Sequence, residues 1–140
     1  MSEAISVAYD DIKIGDTAQI SKVVTDEDIK KFAEVSLDEN PIHLDEEFAK
    51  NSMFKQRIAH GMLSAGLISA VIGTKLPGVN TIYMGQDLKF VAPVFIGDEV
   101  TATVEVIDKR DDKHIVTLKT TVVNQDGKEV IKGQAVVLKK

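Results

Sequence analysis

Gly61-Met62-Leu63-Ser64-Ala65-Gly66-Leu67-Ile68-Ser69-Ala70-Val71-Ile72-Gly73-Thr74-Lys75 reads as a helix without a polar face. Apolar or small residues fill nearly every position, and a helix that is apolar all round has to be buried on most sides. Pro77-Gly78 stops it. After that the pattern switches to period two, which marks half-buried strands. Residues 81–90, 99–108, 115–123 and 129–138 read as four strands in a meander. Turn signals separate them: Ala92-Pro93 with Gly97-Asp98, the run Arg110-Asp111-Asp112-Lys113, and Gln125-Asp126-Gly127.

Upstream, residues 17–24 are β-prone and follow a Gly15-Asp16 turn. Thr25 and Asp28 make a capping arrangement. Ile29, Phe32 and Ala33 then lay one apolar stripe along a helix that runs to about Val35. That helix ends before an Asn40-Pro41 turn, and Asp45 caps a second, brief helix. One buried helix with about five antiparallel strands predicts an α+β fold, a curved sheet wrapped around the helix. Such a sheet covers one side only and leaves its edge strands open. Dimerisation through an edge answers both problems and is expected.

With 140 residues the chain is expected to form a single domain over 1–140, large enough to bury roughly two-thirds of its surface in one core. A content of 44% hydrophobic and 28% charged residues argues against disorder. The net charge of −5, without a dense Lys/Arg cluster, argues against nucleic acid as a partner. There is no cysteine, which removes thiol nucleophiles, Cys-ligated zinc and disulfides. Met1-Ser2-Glu3-Ala4-Ile5-Ser6-Val7 lacks the apolar run of a secretory signal, and the longest apolar stretch is too short to span a bilayer. A cytoplasmic protein without membrane attachment is the expectation.

The chemistry is expected around Ser36-Leu37-Asp38-Glu39-Asn40-Pro41-Ile42-His43. Asp38 and His43 are proton-transfer groups five residues apart, and His titrates near neutrality. Asn40 can brace the loop, and Pro41 narrows the placement of the pair. His60-Gly61 follows 17 residues after His43. Gly61 opens the apolar helix, where a free N–H not covered by a side chain can hold developing negative charge. His60 reads as a cap or packing residue, and Ser64 and Ser69 as serines bonded back to their own helix. No dinucleotide, P-loop or G-x-S-x-G pattern is present, and no metal site is expected. Acid/base chemistry beside a carbonyl is what these parts can do.

The chain resembles the MaoC-like, (R)-specific enoyl-CoA hydratases of the small bacterial PhaJ type. The resemblance rests on Asp38-Glu39-Asn40-Pro41-Ile42-His43-Leu44-Asp45, on Ile58-Ala59-His60-Gly61-Met62-Leu63, on residues 82–90 and on residues 93–100. It implies the hot dog fold, a homodimer or dimer-based oligomer, and an acyl-CoA thioester as substrate, with no cofactor beyond the CoA of the substrate itself. By position it implies Asp38 and His43 as the catalytic pair and the Gly61 N–H as oxyanion donor. Ser69 is implied as a serine that supports the active site by hydrogen bonding, and Asn40, from its place in the turn, is expected with it among the substrate-binding residues. The implied reaction is reversible syn hydration of trans-2-enoyl-CoA to (R)-3-hydroxyacyl-CoA. A dehydratase acting on acyl carrier protein, a hot dog acyl-CoA thioesterase and a non-catalytic acyl-CoA-binding domain are the alternatives. Thioesterases of this fold usually present a carboxylate from the central helix, and residues 61–75 contain none.

Overall fold

Val100, Ala102, Val104 and Val106 on one strand, and Val116, Leu118, Thr120 and Val122 on the next, are fully buried in the computed structural model, which describes residues 3–140. Every second side chain of a strand points to the same face, so this alternation lays a continuous apolar floor. The strands are β1 (Thr17–Val23), β2 (Thr81–Gln86), β3 (Lys89–Phe90), β4 (Glu99–Arg110), β5 (Ile115–Val123) and β6 (Glu129–Lys139). They form one antiparallel sheet in the order β1-β4-β5-β6-β2, with β3 also pairing β6. The architecture is the expected α+β hot dog, with six strands instead of about five.

The expected four-strand meander holds for β4, β5 and β6 only. β1 takes the free edge of β4, from Thr17 opposite Glu105 to Val23 opposite Glu99. Residues 81–90 therefore add to the other side of the sheet, with Thr81 opposite Lys139. They also form two strands instead of one. At the break the Asp87 N–H donates to the Gln134 carbonyl (2.9 Å), and its carboxylate accepts the Gln134 N–H (3.1 Å). This fold-over needs a glycine opposite it, since a Cβ on Gly133 would lie 2.0 Å from the Asp87 carbonyl oxygen.

Among the described residues there are also a 3-10 turn, Tyr9–Asp11, and four α-helices: α1 (Asp26–Ser36), α2 (Pro41–Leu44), α3 (Glu46–Lys50) and α4 (Gly61–Thr74). Thr25 and Asp28 form the full capping box that heads α1, and Asp45 caps α3. The Asn40-Pro41 turn is in fact the start of α2. The Asn40 side chain accepts the Ile42 N–H, and Pro41 occupies the first helical position, where its missing N–H costs nothing. α4 packs on the sheet through Ala65, Ile68, Val71 and Ile72. Burying each large aliphatic side chain there contributes roughly 1.5–3 kcal/mol. The expectation of burial on most sides is met on this face alone within one chain. Met62, Gly66, Ser69 and Gly73, spaced as one helical stripe, are exposed.

Candidate active site

α1 closes at Leu37, whose left-handed backbone (φ 68°) turns the chain out of the helix and into Asp38. A non-glycine residue in that conformation is held at a cost of about 1–2 kcal/mol. The Asp38 N–H donates to Ser36 Oγ (3.1 Å), and the Asp38 carboxylate accepts the Asn40 N–H (3.2 Å). α2 then carries His43 inward, where its ring is buried. On the other side, the segment 57–60 leads into α4. A carboxylate oxygen of Asp38 and a ring nitrogen of each of His43 and His60 lie within 4.8 Å of one another.

The backbone fixes both imidazole tautomers. Nδ1–H of His43 donates to the Ile58 carbonyl (2.8 Å), and Nε2–H of His60 donates to the Asp38 carbonyl (2.9 Å). A carbonyl cannot donate, so each nitrogen must carry the proton. His43 is left with a lone pair on Nε2. Burial pulls the His43 pKa below its ordinary 6.5. The bond to Ile58 opposes that shift, and neighbouring His60 adds to it. At neutral pH the ring is therefore a neutral base.

A cavity of about 470 Å³ opens on this cluster. Asp38, His43, His60, Gly61 and Ser64 supply its polar wall, and Phe54, Phe90, Val130 and Ile131 belong to its apolar lining. The N-cap of α4, His60, offers no side-chain acceptor to the first helical turn. The Gly61 N–H finds no acceptor among the described residues, as expected of a helix N-terminus. Gly61 also has a packing reason to be glycine: a Cβ there would lie 2.6 Å from the Phe90 ring. Asp38, His43 and His60 are the described residues that could hold a metal. They fit one poorly, because the two imidazoles are stacked at 3.9 Å with planes 27° apart. Each free lone pair lies in its own ring plane, and two stacked planes do not readily share a point about 2 Å from both nitrogens.

The MaoC like domain family model matches residues 12–128. The chain is a MaoC-like domain. It is 52% identical over 130 residues to the (R)-specific enoyl-CoA hydratase of Rhodospirillum rubrum, covering 93% of this chain and 90% of that protein. The solved (R)-hydratase from Aeromonas caviae superposes with a TM-score of 0.90 at 46% identity, covering 92% of this chain and 98% of that one. The unliganded R-hydratase PhaJ1 of Pseudomonas aeruginosa superposes with a TM-score of 0.91 at 43% identity, covering 96% and 88%.

Within this MaoC-like domain, Asp38, His43 and Gly61 come together as wall residues of one cavity. Asn40 is exposed and stands one step back, tying the start of α2. Ser69 is not in the cavity wall; it lies on the exposed stripe of α4. Ser64 does line the cavity, and its buried hydroxyl has no partner among the described residues, contrary to the expected bond to its own helix. Thr74, bonded to the Ala70 carbonyl at 2.7 Å, does make that kind of bond. Arg57 is the residue that sequence reasoning missed. It is buried, donates from Nε to the His43 carbonyl (2.6 Å) and pairs with Asp26 of α1 (2.6 Å). A lone arginine in a loop carries no spacing signal that could have found it. His60 was legible as a packing residue, but its ring contacts were not.

Proposed function

We propose that this MaoC-like domain is an (R)-specific enoyl-CoA hydratase, adding water reversibly and syn to trans-2-enoyl-CoA. The observation that carries this is the convergence, on one largely apolar cavity, of the Asp38 carboxylate, a His43 fixed as a base at Nε2, and the open N-terminus of α4. Asp38 makes no ion pair with either ring among the described residues, and the gap suits one water held by both groups. The water oxygen attacks the β-carbon while His43 Nε2 takes a proton from it. The alkene electrons move through the α-carbon onto the thioester oxygen, where the Gly61 N–H donates and the helix dipole assists. When the enolate collapses, the α-carbon takes a proton back from the same pair. Both additions come from one face, so the outcome is syn. No electrons are gained or lost overall, so the step calls for no redox cofactor.

The same reading includes a cytoplasmic homodimer. β2 is an edge strand with Ile82, Tyr83 and Met84 exposed in succession, and an open apolar edge invites pairing with another strand. A second chain would also cover the Met62–Gly73 stripe, and Ser69 supports the site only through such a contact. No helix among the described residues is long and apolar enough to cross a membrane.

The test is purified protein with crotonyl-CoA, following enoyl absorbance and free thiol separately and resolving the product on a chiral phase. The expected result is loss of absorbance, no thiol, and (R)-3-hydroxybutyryl-CoA. Thiol release would make the protein a thioesterase, and an (S) product would reject the geometry.

A further inference from the structure

Each member of the acid/base pair is gripped by its own main-chain carbonyl. Arg57 Nε–H donates to the carbonyl of His43 at 2.6 Å, and His60 Nε2–H donates to the carbonyl of Asp38 at 2.9 Å. Between them Ile58 uses both of its backbone groups on α2: its carbonyl accepts His43 Nδ1–H, and its N–H donates to the Ile42 carbonyl at 3.3 Å. Ala59 N–H donates to the Val94 carbonyl at 2.7 Å, which fastens the segment to the cavity wall. The next residue is Gly61. Four consecutive residues thus fix the loop bearing Asp38 and His43 relative to the oxyanion donor. They leave the Asp38 carboxylate and His43 Nε2 uncommitted to one another.

His60 is the member of this frame that touches both groups. Besides holding Asp38 it stacks on His43 at 3.9 Å, and its own ring is backed by Phe32 of α1 at 4.7 Å. The ring is nearly inaccessible, at 2% exposure. Its Nδ1 has no partner among the described residues, so that nitrogen supplies no competing bond that would turn the ring away from Asp38.

We propose that His60, a nearly inaccessible residue of the cavity wall, is a positioning residue for the hydration step, one that acts through Asp38 and His43. This rests on the hydratase reading. Its donor sets the height of Asp38 over the cavity, while the plane of His43 is already held by its own bond to the Ile58 carbonyl. Displacing a reacting group by about 1 Å costs on the order of 100-fold in rate, so the effect falls on kcat and leaves KM nearly untouched.

The variants separate donor from ring. His60→Phe keeps a flat ring against His43 and Phe32 but loses the N–H. His60→Gln keeps an N–H at the same reach but loses the ring. With crotonyl-CoA, His60→Phe is expected to lower kcat by about 10- to 100-fold with KM within about 3-fold, and His60→Gln to recover most of that loss. Wild-type kcat in His60→Phe overturns the proposal. So does a His60→Gln protein as impaired as His60→Phe, or a loss carried by KM.

A second measurement needs neither variant nor activity. Long-range 1H–15N correlation of the wild-type protein at neutral pH should show His43 protonated at Nδ1 and His60 at Nε2. His60 found protonated at Nδ1 removes the bond to Asp38 and the proposal with it. If wild-type protein shows no hydration of crotonyl-CoA, the hydratase reading fails, whereas the tautomer result reports on the His60–Asp38 bond in either case.

Discussion

Asp38 on an exposed loop and the buried His43 of α2 face one cavity. Asp38→Asn and His43→Gln should each lower kcat about 100-fold or more in a folded protein. The double variant should be little worse than either single one, because both act on one water; steady-state kinetics with crotonyl-CoA checks this. Burial holds the His43 pKa below its ordinary value of 6.5, so the acid limb of kcat/KM should fall with a midpoint under 6.5. The same group sets a sign for stability. A histidine whose folded pKa lies below its unfolded one binds fewer protons in the native state. Its contribution is complete above the unfolded pKa and is lost as pH drops through the folded pKa. Denaturant titrations across that range should show wild type losing stability relative to His43→Gln. Gly61→Pro deletes the proposed oxyanion donor at a position where proline is tolerated. His60 already has the extended backbone (φ −60°, ψ 132°) that a following proline demands, and half-exposed Phe90 can swing aside. We expect kcat to fall about 100-fold or more with the circular dichroism of the helices unchanged.

Among the elements, the break between β2 and β3 is tightly specified by a single residue. Gly133→Ala would drive a Cβ into the Asp87 carbonyl at 2.0 Å. The backbone must give way there, at a cost of about 1–3 kcal/mol, measurable as a lower denaturant midpoint. Arg57 links three elements: the N-terminus of α1 through Asp26, α2 through the His43 carbonyl, and the lead-in to α4. Arg57→Met leaves that carbonyl without its donor and should cost about 1–3 kcal/mol. Asp26 is unharmed by the change, since it is half exposed and keeps Lys30 at 2.9 Å.

For the whole molecule, the β2 edge and the outer stripe of α4 both stand uncovered. Both are apolar or small, and both lie on chain that approaches the cavity, through Phe90 on one side and Met62 on the other. A particle near twice 15.3 kDa is expected in sedimentation equilibrium. Placing two charges on the open edge with Ile82→Lys and Met84→Lys should shift it toward 15.3 kDa and reduce hydration activity. A wild-type protein that is monomeric and fully active would leave the chemistry standing and refute the dimer.

The sequence by itself determined what is local or periodic. Thr25 and Asp28 announced a capping box because both of its bonds lie within one turn. Alternating valines announced β4 and β5 because side-chain direction repeats every two residues. The clustering of Asp38 with His43 was legible because five residues and a proline hold them together. What spans the chain was not. That β2 pairs β6 depends on β1 having taken the edge of β4, a competition between segments about 60 positions apart with no trace in either one. Ser64 and Ser69 look alike in sequence, yet only the direction of α4 against the sheet puts one in the cavity wall and the other outside. Arg57 and His60 acquire their roles only when the loop bearing Asp38 and His43 folds over them. Their partners are main-chain carbonyls, which every residue has and no sequence pattern marks.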